Sequence, residues 1–138
     1  MAMPEADLGE LELETLKTLW DESPATVRET MQHLHDRGRA VAYTTVLTVL
    51  TRLEQKGFVV SDKSGAAYVY RPCVSRETLS RSKLRGLLDA LYDGAAGPLV
   101  LQLIREERFS RDELQELQAM IDRLDQKSSR ATPKKKSR

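Results

Sequence analysis

What most constrains this chain is a change of pattern within its first half. Up to Gly57 apolar residues recur at helical spacing in three short runs, and beyond it come short runs rich in β-branched and aromatic residues. In the first run Leu8, Leu11, Leu16, Leu19 and Trp20 fall on one face, which predicts a helix over Leu8–Trp20. Thr26 followed by Glu29 fits a capping box, in which the hydroxyl and the carboxylate each satisfy a free amide of the first turn, so a second helix is predicted from there to about His35. After a loop containing Gly38, a third helix begins near Tyr43. Its stripe of Val46, Val49, Leu50 and Leu53 ends at Gly57, a residue suited to the left-handed position past a helix end. Phe58–Ser61 and Tyr68–Arg71 then read as strands joined by the polar loop Asp62–Gly65 and closed by Pro72, and a short strand near Ala25 would complete a small sheet. Three helices followed by a hairpin is the order of a winged helix-turn-helix domain. The predicted fold class is mainly α with a small β-hairpin wing, the wing domain occupying residues 1–73.

Residues 74–126 are predicted to be helical again, as a separate dimerisation domain. Ser75 is placed to cap a fourth helix with Leu84, Leu87, Leu88 and Leu91 on one side, and Gly97-Pro98 opens a fifth with proline at its first position. The fifth helix carries Leu99, Val100, Leu101, Leu103 and Ile104, apolar nearly all round, and such a helix needs a cover. Ser110 and Glu113 form another capping box, after which Leu114, Leu117, Ile121 and Leu124 alternate at spacings of three and four, the seam of a helix packed on a helix. Three helices are too few to bury these faces on their own, so a second copy of the chain is expected to cover them, the dimer contacts falling on Leu99, Leu101, Leu103, Ile104, Leu114, Leu117, Ile121 and Leu124.

Composition narrows the function classes. With 138 residues the chain holds one domain, or a small domain with an accessory segment, and no apolar run approaches the length of a membrane span. The acidic start from Met1 to Leu8 lacks the features of an export signal, so a cytoplasmic protein with no membrane partner is expected. Cys73 is the only cysteine, which excludes an intrachain disulfide and a cysteine-based metal cluster. His33 and His35 do not share a helical face, and no carboxylate pair converges on them with metal spacing. Nucleophile elbows, phosphate-cradling glycine loops and zincin motifs are likewise missing, so neither an enzyme nor a cofactor is expected. The net charge of +1 conceals six basic residues after Asp125, namely Lys127, Arg130, Lys134, Lys135, Lys136 and Arg138, so residues 1–126 carry −5. A basic, disordered tail over residues 127–138 is expected, and DNA binding by the acidic remainder must come from a local surface.

That surface is the outer side of the third helix, where Thr44, Thr48 and Thr51 face away from the core stripe, flanked by Thr45 and Arg52. Threonines on a solvent face cost helix propensity without structural gain. In a DNA groove, however, their hydroxyls meet donors or acceptors on base edges and their methyls meet the thymine methyl. Tyr43, Thr44, Thr45 and Thr48 are therefore the predicted readers of bases or backbone. Arg52, Lys56, Lys63 in the wing and Arg71 are candidates for backbone contacts, and Arg52, Lys63 and Arg71 are the predicted phosphate contacts. The absence of Arg or Lys before Arg52 in this helix argues against strong bidentate guanine reading in its first turns, and A/T-containing half-sites are expected. Two other readings remain open: the threonines as an ordinary solvated face, and a winged helix serving as a protein-interaction module, which an acidic body would favour.

The run Ala42-Tyr43-Thr44-Thr45-Val46-Leu47-Thr48-Val49-Leu50-Thr51-Arg52-Leu53, followed by Lys56-Gly57, resembles the recognition helix of the penicillinase repressor family of the BlaI/MecI type. The likeness extends from Leu8 through Thr26-Val27-Arg28-Glu29 and Tyr68-Val69-Tyr70 to Leu99-Val100-Leu101 and the Ser110–Leu124 helix. It implies a homodimeric repressor that binds inverted TACA-like half-sites in promoters, often of β-lactamase operons, and is released when a regulatory protease cuts its dimerisation domain. In that family the cut falls between Asn and Phe after a Leu-Val-Leu stretch. Here the corresponding pair is Gln102 and Leu103, a departure at both positions. The copper-responsive branch carries paired C-terminal cysteines where this chain has lysines, so no copper site is implied.

Overall fold

The computed structural model describes residues 7–131, which form two compact units meeting in sequence between Leu91 and Tyr92. The first contains α1 (Glu10–Asp21), β1 (Ala25–Thr26), α2 (Val27–Asp36), α3 (Tyr43–Gln55), β2 (Val59–Asp62), β3 (Val69–Pro72) and nearly all of α4 (Arg76–Tyr92). The second contains α5 (Ala96–Glu106) and α6 (Arg111–Ala131). The three strands form one antiparallel sheet in the order β1-β3-β2, with Ala25 opposite Tyr70 and Ser61 opposite the same residue on the other side. The predicted winged arrangement, including the short strand at Ala25, is thus present.

Local chemistry explains the element ends. Thr26 Oγ1 accepts the Glu29 amide at 3.1 Å while the Glu29 carboxylate accepts the Thr26 amide at 2.9 Å, the reciprocal capping box of α2. Ser110 and Glu113 repeat it at α6, and Ser75 Oγ accepts the Thr78 amide ahead of α4. At the end of α3 the Gly57 amide returns to the Glu54 carbonyl and the Phe58 amide to that of Leu53, with Gly57 at φ 89°. This closure needs a left-handed residue, which glycine supplies without a Cβ clash, and it turns Phe58 inward as the first core residue of the wing.

The core is built from Leu16, Leu19, Leu34, Val46, Leu50, Leu53, Phe58, Val59 and Tyr70, with Leu8, Leu11 and Trp20 packed at its margin. Each fully buried leucine contributes about 1.5–3 kcal/mol. Val74 and Leu79 also belong to it, and the Trp20 indole donates to the Val74 carbonyl at 2.9 Å, so packing carries the first unit past residue 73. Thr15, Thr18 and Thr30 are buried with them, their hydroxyls donating to the carbonyls four residues back, which lets a polar side chain enter the core without an unmet hydrogen.

Glu12 is nearly buried and accepts from the Gly9 amide at 2.8 Å and from Lys56 Nζ at 2.7 Å, tying the start of α1 to the end of α3. Burial pushes its carboxyl up, but Lys56, the Gly9 amide and the charge of Arg52 outweigh this and hold it below the ordinary value of 4.5. A carboxylate depressed in the folded state adds stability above its unfolded pKa, and that contribution disappears as pH falls through the lower folded value. Glu12→Gln is therefore expected to cost about 1–2 kcal/mol near pH 7. In thermal melts the gap to the wild type should narrow from pH 5 downward, and a constant gap to pH 3 would contradict the assignment.

Helix bounds differ from expectation at several places, α1 running over Glu10–Asp21 and not Leu8–Trp20. Pro98 is the third residue of α5, not the first, because the helix starts at Ala96. The position is still tolerable, since amides throughout the first turn have no partner within the helix. Helix α6 runs past Gln126 to Ala131, with no Gly or Pro to stop it before Pro133. Residues 127–131 are thus helical, and the remainder of the expected tail, residues 132–138, lies outside the described residues.

Candidate nucleic-acid interface

Helix α3 buries Val46, Val49, Leu50 and Leu53 and leaves Tyr43, Thr44, Thr45, Leu47, Thr48, Thr51 and Arg52 exposed, so the predicted reading face does point outward. Its N-cap is Ala42, which has no side-chain oxygen, and the first backbone bond of the helix runs from the Val46 amide to the Ala42 carbonyl. The amides of its first turn are therefore available to an anion, in contrast to those of α2, where Glu29 is capped by Thr26.

A groove of about 540 Å³ runs beside this face, lined by Thr26 of β1, Val27 and Arg28 of α2, Tyr43 and Leu47 of α3, and Ala66–Tyr68 of the wing loop. The Arg28 guanidinium lies 5.5 Å above the centre of the Tyr43 ring. The fold thus brings Tyr43 together with a cation and the wing, and Arg28 joins the set of residues that sequence reasoning nominated. Thr45 and Arg52 lie on the opposite shoulder of α3 by the helix winding.

Glu54, not singled out in the sequence, braces the wing: Ser61 Oγ donates to its carboxylate at 2.6 Å, and Lys63 Nζ lies 3.7 Å from its other oxygen. Lys63 also sits 5.6 Å from the Tyr68 ring centre, so it reaches the wing surface with part of its charge already offset. At the β2 end Asp62 accepts from the Ser64 hydroxyl at 2.6 Å and from its amide, bonds that hold its carboxyl below its ordinary value and fix the start of the wing loop. Arg71 is exposed on β3. Lys56 is the one nominated cation that the structure withdraws, because its ammonium is engaged by Glu12 and by the Asp7 carbonyl at 2.9 Å.

His33 lies 3.8 Å from a Glu22 oxygen, and the Val41 amide donates to His35 Nε2 at 3.2 Å, which pins the loop before α3. Among the described residues no group of His, Cys, Asp or Glu is arranged to hold a metal ion.

The penicillinase repressor family model matches residues 8–123. The chain belongs to the penicillinase repressor family. It is 32% identical to the transcriptional regulator BlaI of Mycobacterium tuberculosis over 120 residues, covering 86% of this chain and 85% of that protein. It is 26% identical to the penicillinase repressor of Bacillus licheniformis over 115 residues, covering 83% and 89%. The methicillin resistance regulatory protein MecI of Staphylococcus aureus strain N315 is 22% identical, with 85% and 94% covered. Among solved structures, the DNA-binding domain of the repressor BlaI is 28% identical over 54% of this chain and 88% of its own, with a TM-score of 0.46. The monomeric form of Bacillus licheniformis BlaI bound to the blaP half-operator is also 28% identical, covering 52% and 87%, with a TM-score of 0.44. Membership makes this chain a BlaI/MecI-type regulator and not an enzyme.

Proposed function

We propose that this penicillinase repressor family member is a homodimeric, sequence-specific repressor that acts in the cytoplasm on palindromic promoter operators. The observation that carries this reading is the exposed threonine face of α3, uncapped at its N-terminus and set beside a braced wing with Arg28, Arg52, Lys63 and Arg71 around it. The face reads bases from the major groove, and the surrounding cations anchor the backbone. Relatives named penicillinase repressor and transcriptional regulator BlaI support DNA as the partner.

The homodimer is supported by apolar residues left open in the single chain. Helix α5 has no buried residue, and Leu101, Leu103 and Ile104 stay exposed together with Leu114, Ile121 and Leu124 on α6. A second copy covers them with the same residues across a two-fold axis, which sets two heads on half-sites about 34 Å apart or a multiple of it. Among the described residues no single helix is long and apolar enough to cross a membrane. Proteolytic relief at Gln102–Leu103 belongs to the same proposal. The bond lies in α5, and cutting it separates the heads from the α6 seam without touching α3. An intact chain in derepressed cells would exclude that step.

Fluorescence anisotropy with a duplex carrying inverted TACA half-sites, against a scrambled duplex across a salt series, tests the main reading. Two chains per duplex with sequence-dependent, salt-sensitive affinity is the expected result, and equal affinity for both duplexes would overturn it. In the same assay Arg28→Ala should weaken binding to all sequences alike and lower the salt slope by about one. An unchanged slope would remove Arg28 from the phosphate contacts.

A further inference from the structure

The outward threonines of α3 differ in what their hydroxyls are still able to do. Thr48 Oγ1 donates to the Thr44 carbonyl at 3.0 Å, and Thr51 Oγ1 donates to the Leu47 carbonyl at 2.8 Å. A hydroxyl has one hydrogen and two lone pairs, so with the hydrogen committed inside the helix these two positions present only acceptors and a methyl group. Leu47 is a neighbour of Thr51 one turn away and is 38% exposed although α3 has already filled its core face with four other apolar residues. It lies toward the groove lined by Tyr43 and the wing, so the edge of the reading face nearest the wing is hydrocarbon.

Such a strip fits few base edges. Guanine offers N7 and O6, both acceptors, and meets an acceptor-only surface badly. Adenine N6 and cytosine N4 donate, and thymine alone adds a methyl group. An A·T pair therefore satisfies both properties at once, giving a donor to a threonine oxygen and a methyl to a hydrocarbon contact. We propose that Leu47, Thr48 and Thr51 form an acceptor-only, methyl-rich strip that selects A·T pairs through the thymine C5-methyl, with Leu47 as a specificity-determining residue. This rests on the operator-binding reading above and adds the chemistry by which that face discriminates.

The test uses the full chain and the operator it selects from a random duplex library. Each thymine of that operator is then replaced singly by deoxyuracil, which removes the methyl and leaves every hydrogen-bonding group in place. Replacement at one or two positions per half-site should weaken wild-type binding about three- to tenfold. Leu47→Ala should bind the thymine and uracil duplexes alike at those positions. Because the first comparison changes only the DNA, it does not depend on a variant folding. Equal wild-type affinity for every thymine and uracil pair, with sequence preference intact, would overturn the methyl strip and leave the repressor reading standing. Full methyl discrimination by Leu47→Ala would remove Leu47 from the role, and a library from which no sequence is enriched would overturn both proposals.

Discussion

A chain carrying Thr44→Glu with Thr48→Glu is expected to lose operator affinity by about 100-fold or more while melting as the wild type does and staying dimeric. Both side chains are exposed, so neither replacement opens a cavity. Glutamate is a better helix former than threonine, and at position 44 it falls in the first turn of α3, where a negative charge favours the helix dipole. The Thr48 hydroxyl bond to the Thr44 carbonyl is lost, but that carbonyl keeps its place in the helix and is open to water. Folding therefore loses little. Against DNA the same two carboxylates are repelled by the phosphates, and each removes a threonine contact to the bases. Unchanged DNA affinity in a dimeric, normally melting variant would instead favour the winged helix as a protein-interaction module.

The parts of this fold legible in the sequence are those set by neighbours along the chain. Thr26 with Glu29, Ser110 with Glu113, and Gly57 after the Val46–Leu53 stripe each act within one helical turn, and each is found where the spacing puts it. What the spacing did not disclose depends on residues that folding alone brings together. Glu12 and Lys56 are 44 positions apart, and without the geometry that joins α1 to the end of α3 Lys56 reads as one more exposed cation. Arg28 reads as a charge in the first turn of α2 until the Tyr43 ring is placed beneath it. Leu47 was not singled out in the sequence, and the commitment of the Thr48 and Thr51 hydroxyls is a matter of rotamers that no pattern of residue types reveals. Pro98 shows the limit of a positional rule, because any first-turn site of α5 spares the missing amide and the rule does not choose among them.

Leu114→Glu with Ile121→Glu should produce the opposite separation, a single chain of 15.6 kDa in sedimentation that still folds its reading head. The two side chains are about half exposed in the single chain and lie seven residues apart on one face of α6, so the monomer tolerates carboxylates there, whereas a two-fold interface would bury them against their own copies. Affinity for the full palindrome should then fall about 100-fold toward that for a half-site, because joining two heads makes the second contact intramolecular and that gain vanishes when the chains part. Half-site affinity should stay as it was, since α3 and the wing are untouched. The threonine variant should lose reading and keep the proposed dimer, and this one should lose the dimer and keep reading. If Leu114→Glu with Ile121→Glu remained dimeric with full palindrome affinity, the α6 seam would not be the dimer contact, and the exposed apolar face of α5 would have to supply it alone.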